Sequence, residues 1–177
     1  MVFTGLGNDL VDTSTGAGSN RIYGGSGQDE IIFGTGDRGF GGADSDILDA
    51  SSGGGNNRLY GGAGNDRLLA GGRDRLIAGE GNDELFVTSG GDNILTGGNG
   101  EDIFRLANAE FPDSVSTITD YEGRLDLLSI SGLGLAFSNL NLASREEGTV
   151  ISANGNELAF LLGIQPENLS EADFVFA

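Results

Sequence analysis

Along the first hundred residues, apolar side chains recur as isolated points in a polar, glycine-rich background. Val11, Ile22, Ile31, Leu48, Leu59, Leu68, Leu76, Leu85, Ile94 and Phe104 each follow an aspartate or asparagine by two places. Those marker residues are Asp9, Asn20, Asp29, Asp37, Asp46, Asn57, Asp66, Asp74, Asp83, Asp92 and Asp102. Their spacings are 11, 9, 8, 9, 11, 9, 8, 9, 9 and 10 residues. Each period reads as six turn-forming residues and a three-residue strand whose middle residue points inward. Such a unit is too short for an ordinary hairpin sheet. The one break in the apolar column is Gly39, where Phe40 is expected to turn inward instead.

The spacing pattern itself repeats. Steps of 11, 9, 8 and 9 close a unit of 37 residues from Asp9 to Asp46, and again from Asp46 to Asp83. DLVDTSTGAGSNRIYGGSGQDEI and DILDASSGGGNNRLYGGAGNDRL show the duplication directly. Fixed-period self-similarity of this kind predicts a solenoid. Two periods, about 18 residues, close one coil, so the fold class is all-β, a parallel β-roll of two sheets. Loops of odd-numbered repeats stack on one rim and those of even-numbered repeats on the other. After Phe104 glycine pairs thin out and apolar positions alternate, as in TVISANGNELAFLL. We therefore divide the chain into a roll over 1–104 and a β-rich C-terminal capping domain over 105–177, which covers the open strand edges of the solenoid. A helical turn begun by Ser170 is expected over 169–172.

Composition narrows the function. A net charge of -18 excludes a nucleic-acid partner, which needs a basic face, and disfavours anionic membrane surfaces. The chain has no cysteine and no histidine, so disulfides, zinc thiolates and the common histidine bases are unavailable, and an enzyme is not expected. The 33 glycines serve tight turns with positive φ. No N-terminal stretch reads as a signal peptide, and the apolar run at 158–164 is too short to span a bilayer.

The chemistry lies in the turns. GGAGNDRLL from Gly61, GGSGQDEII from Gly24 and GGNGEDIFR from Gly97 share glycines at places one, two and four and an aspartate at six. Weaker copies begin at Thr4, Gly41 and Ala78. This nonapeptide resembles the calcium-binding repeat of RTX proteins. The resemblance implies several Ca2+ ions between stacked turns, held by backbone carbonyls and aspartates, as a hard cation requires. On the odd rim the implied residues are Gly5, Gly7 and Asp9; Gly25, Gly27 and Asp29; Gly42, Asp44 and Asp46; Gly62, Gly64 and Asp66; Gly79, Gly81 and Asp83; and Gly98, Gly100 and Asp102. We expect four to six ions there. The even rim carries Asn20, Asp37, Asn57, Asp74 and Asp92 with its glycines out of register, so it should bind metal less well. An EF-hand at Asp44 and Asp46 fails for want of the spaced glycine and glutamate.

The tail extends the resemblance. STITDYEGRLDLLSISG is similar to the segment that follows the last RTX repeat, with Ile118, Asp120, Tyr121, Asp126 and Leu128 in the matching places. Asp120 and Asp126 are either turn residues or ligands of one further ion. LSEADFVFA is similar to the ends of proteins exported by type I secretion systems. The resemblance implies a secreted or cell-surface location, the type I apparatus as a partner, and a parent catalytic or adhesive domain. Arg21, Arg38, Arg58 and Arg75, with Tyr23, Phe40, Tyr60 and Ile77 two places on, form outward columns. Either the cap covers them, or they serve a calcium-dependent adhesion or polysaccharide-binding module.

Overall fold

The structure, a computed structural model, describes residues 1–88 and 90–177. The chain winds between two sheets, alternating one strand in each. The first sheet stacks Val2–Leu6, Arg21–Ser26, Arg38–Ala43, Arg58–Ala63, Arg75–Glu80, Ile94–Asn99 and Ser116–Ile118 in parallel. The second stacks Leu10–Asp12, Glu30–Ile32, Ile47–Asp49, Arg67–Ala70, Glu84–Val87, Ile103–Asn108, Leu127–Ser131 and Phe174–Phe176, also in parallel. The three-residue strand expected from the period holds for the start of the second sheet. In the first sheet strands run to six residues, because the glycines at places one and two continue the extended pairing, as in Gly25 opposite Gly5 and Gly42.

The inward column is continuous. Ile22, Leu59, Leu76, Leu95 and Ile118 face Ile31, Leu48, Leu68, Leu85, Phe104 and Leu128, all buried. Registry between coils is fixed because a one-residue slip would turn this column to solvent. Two details correct the reading from spacing. Phe40 does not turn inward; it stacks on Tyr23 and Tyr60 outside the roll. The space above Gly39 is filled by Phe33, fully buried, whose ring occupies the place where a Cβ of residue 39 would stand. On the last even repeat the inward residue is Leu95, while Ile94 is 41% exposed, so the register is one residue later than the spacing implies.

The C-terminal residues prolong the stack. Asn156–Leu162 pairs in parallel with Ser116–Ile118, and then Gly148–Ala153 and Leu140–Arg145 add antiparallel strands. These strands end the first sheet in the sheet plane, and the outward columns of arginine and aromatic residues stay uncovered by them. A short 3-10 turn at Glu171–Asp173 begins at Ser170, whose hydroxyl donates to Asp173. Among the described residues no helix is long and apolar enough to cross a membrane.

Phe33→Ala should lower the stability of the calcium-saturated roll by about 3–5 kcal/mol, the cost of an emptied aromatic site. Adding Gly39→Leu should recover part of that loss, since the new side chain enters the vacated space from the neighbouring strand. Urea unfolding in saturating calcium measures both.

Candidate metal centre

The two rims are built from different turns. On the odd rim the second and fourth residues of each loop have positive φ: Gly5 and Gly7, Gly25 and Gly27, Gly62 and Gly64, Gly79 and Gly81, Gly98 and Gly100. In the third loop Gly42 keeps this conformation and Asp44 adopts it at φ 75°, with its carboxylate accepting from the Gly27 N–H. These turns stack so closely that a Cβ at Gly25, Gly62 or Gly98 would strike the carbonyl of the preceding loop's second residue. The glycines therefore let each coil bring its backbone carbonyls onto the next.

One hydrogen bond repeats down this rim. The N–H of Asp9 donates to Oδ1 of Asp29 (2.8 Å), Asp29 to Asp46 (2.8 Å), and Asp46 to Asp66 (2.8 Å). The series continues from Asp66 to Asp83 (2.7 Å), Asp83 to Asp102 (2.9 Å), and Asp102 to Asp126 (3.0 Å). Asp126 thus forms a seventh rung beyond the last glycine-rich loop. Asp120 accepts from the N–H groups of Gly97 and Gly98, which puts its carboxylate beside the sixth loop.

Each rung uses one carboxylate oxygen. The other, Oδ2 of Asp9, Asp29, Asp46, Asp66 and Asp83, is buried without any hydrogen-bond partner. The hollow it faces is the place a Cβ of the loop's first residue would fill. At Gly24, Gly41 and Gly61 that Cβ would meet both the loop's own Asp Oδ2 and the first carbonyl of the next loop. Thr4 stands at this position in the first loop, and its hydroxyl donates to the Gly24 carbonyl (2.6 Å), so the first gap differs from those below it.

An unpartnered buried polar atom costs roughly 1–3 kcal/mol, and more when charged, so a row of them calls for a cation. Among the described residues no three acidic side chains converge on one point, so most ligands would be carbonyl oxygens. An all-oxygen, anionic, multidentate site suits Ca2+, which takes six to eight oxygens. The residues present fit that ion.

The even rim is arranged otherwise. A left-handed residue precedes each rung: Ser19, Gly36, Asn56, Arg73 and Asp92. The rungs are Asn20, Asp37, Asn57, Asp74 and Asn93; spacing alone would assign the last to Asp92, which instead lies exposed in the turn. The same N–H to Oδ1 bonds run from Asn20 to Asp37, Asp37 to Asn57, Asn57 to Asp74, and Asp74 to Asn93. Here the second atom is also partnered. Asp37 Oδ2 accepts from Gly34 N–H and Thr13 Oγ1, and Asp74 Oδ2 from Gly71 N–H. The Nδ2 atoms of Asn57 and Asn93 donate to the carbonyls of Gly34 and Gly71. Alternating amide and carboxylate supplies on this rim the donors that a metal would replace on the other. Asparagine was visible in the sequence; its amide standing where a cation would is legible only from the stacking.

Metal-free, Asp46, Asp66, Asp83, Asp102 and Asp126 on the odd rim resist ionisation, as does Asp74 on the even rim through burial. Burial, helped by neighbouring carboxylates, pushes Asp46 and Asp83 up to about 7 and Asp102 up to about 6. Burial also raises Asp66 and Asp126. A raised carboxyl stabilises the metal-free roll below the ordinary carboxyl range, and that contribution is lost as pH rises through 6–7. Calcium must displace those protons.

Asp66→Asn should raise the calcium midpoint of folding on the order of tenfold, or ~1.4 kcal/mol, because its free oxygen is lost from the metal row. Asp92→Asn, on the even rim, should leave that midpoint within about twofold, since Asp92 lies exposed in its turn at φ 57°, a conformation asparagine also adopts. Circular dichroism against buffered free calcium distinguishes the two. The wild-type midpoint should rise as pH falls from 7.5 to 5.5, while in chelator the same acidification should increase β structure.

The family model described as RTX calcium-binding nonapeptide repeat (4 copies) matches residues 3–39, 51–85 and 84–107. No curated protein matches the chain. Thirteen solved chains match. Among them is the solution structure of the AlgE6R3 subunit from the Azotobacter vinelandii mannuronan C5-epimerase, with 25% identity, 98% of this chain and 80% of that chain covered, and a TM-score of 0.36. With more than half of its length matched by the family model, the chain belongs to the RTX calcium-binding nonapeptide repeat family.

Proposed function

We propose that the chain is a non-enzymatic module that folds when calcium fills the odd rim. The observation that carries this reading is the line of unpartnered Oδ2 atoms from Asp9 to Asp83. Four to six ions would lie along the odd rim, up to five of them in the gaps between the loops that contain Asp9, Asp29, Asp46, Asp66, Asp83 and Asp102. Asp120 and Asp126 would complete one more site only by sharing oxygens that already accept the N–H groups of Gly97, Gly98, Asp102 and Glu122. The satisfied oxygens of Asp37 and Asp74 argue against ions on the even rim.

In this reading residues 1–104 are the metal-bound roll and residues 105–177 a cap that also carries a type I export signal. Calcium-poor cytosol would keep the chain unfolded for export, and calcium outside the cell would fold it beside a catalytic or adhesive domain. The cap and the metal row are linked through Asp173. Its Oδ1 accepts from the Tyr121 hydroxyl (3.0 Å) and the Arg124 N–H, within the loop between Asp120 and Asp126. Ordering of that loop by calcium would seat the C-terminal strand Phe174–Phe176.

Calcium at about 1,000 times its dissociation constant contributes roughly 4 kcal/mol per independent site, against a typical domain stability of ~5–15 kcal/mol. A few sites therefore decide whether the roll forms. The expected result is a disordered spectrum in excess chelator and a cooperative gain of β structure on adding calcium. Full β structure in chelator at pH 7.5 would sink the proposal.

A further inference from the structure

We propose that the arginine-bearing face of the first sheet is a binding track for a linear acidic polysaccharide. The inference rests on the calcium-folded roll proposed above and concerns a surface away from the metal row.

Arg21, Arg38, Arg58 and Arg75 are in strict register on adjacent parallel strands. Strand spacing puts neighbouring positions about 4.8 Å apart. Like charges directly opposite each other are destabilising. None of the four has an ion-pair partner among the described residues, although the chain carries 27 acidic residues. By contrast, Arg67 and Arg105 on the second sheet share Glu84 and flank the Phe86 ring. The acid is concentrated on the odd rim, while Arg73 adds a fifth cation beside the column. A cleft of about 300 Å³ is lined by Arg58, Arg73 and Arg75 together with Asn56 and Asp92. A second, of about 220 Å³, lies between Arg21 and Arg38. The molecule is therefore polarised, with one acidic rim and one arginine column that makes no ion pair among the described residues. The carboxylates nearest the column are Asp74, whose two oxygens already accept backbone N–H groups, and Asp92 in its turn.

Beside the track runs a second column. Phe3, Tyr23, Phe40 and Tyr60 stack at 4.7, 4.8 and 4.7 Å between ring centroids, within 8° of parallel. The rings cover one another's faces, so they cannot intercalate nucleic-acid bases, which bind single strands by stacking. They present an even shelf of edges with two phenolic hydroxyls. An extended peptide would instead add to a sheet edge and need alternating side-chain pockets, which a flat face does not offer. A narrow polymer with a carboxylate on successive sugars fits both columns. Its charges would meet the guanidinium forks, which suit carboxylates, and its ring edges would lie along the aromatic shelf.

The test uses the full chain at fixed, saturating free calcium and a labelled oligogalacturonate of about ten sugars. The expected result is salt-sensitive binding, with no binding to an uncharged cello-oligosaccharide of equal length. Replacing Arg21, Arg38, Arg58 and Arg75 together by Gln should weaken binding on the order of 30-fold, as four exposed charge pairs would. Arg67→Gln should leave it unchanged. Removing four mutually repelling charges should not harm folding, and circular dichroism on each sample verifies the calcium-folded state, so failure of the roll and failure of the track are separately visible. Three results would overturn the proposal. They are no binding by the folded wild-type chain, undiminished binding by the four-Gln variant, as calcium bridging from the odd rim would give, and equal affinity for oligothymidylate or polyglutamate.

Discussion

The roll depends on one repeated interaction, the hydrogen bond from the backbone N–H of each rung residue to the side-chain Oδ1 of the rung residue in the next coil. It sets the vertical register of both rims and is the same whether the acceptor is aspartate or asparagine. What distinguishes the rims is the second side-chain atom. On the even rim it is partnered with backbone or hydroxyl groups or, as an amide, donates to a carbonyl. On the odd rim it is a buried oxygen facing carbonyls, an arrangement that calls for a bound cation or a proton on the carboxyl.

The solenoid thus has a side whose polar groups are partnered within the protein and a side whose buried oxygens are left for a cation. Packing couples them, because every coil contributes to both rims and to one inward column of Leu, Ile and Phe. A coil cannot close on the even rim and stay open on the odd rim without breaking that column. On the proposed reading, this is how a local charge imbalance would become a condition on folding of the whole chain. The arginines of the first sheet make no ion pair among the described residues, so the acidic rim is matched by an arginine column on the face of the first sheet.

Much of this was legible in the residues. The period of the markers gave the two-sheet roll, and the glycines at places two and four of the odd loops all took the left-handed conformation that glycine is suited to. Misreadings arose where local spacing competes with packing. Gly39 invited its neighbour Phe40 inward, but the space was taken by Phe33, which follows the strand Glu30–Ile32 of the other sheet, a contact that no local pattern announces. At Asp92 and Asn93 two rung-competent residues are adjacent, and only the burial of Leu95 over Ile94 decides between them. The seventh rung at Asp126 follows a loop without the glycine pattern, so its place in the ladder came from stacking.

The most direct test of the central claim is an anomalous-scattering map from crystals of the full chain grown in calcium. The account predicts peaks only along the odd rim, between successive loops from Asp9 to Asp126, and none beside Asp37 or Asp74. Peaks of comparable height on the even rim, or an ordered roll with no peak beside Asp46, Asp66 and Asp83, would contradict it.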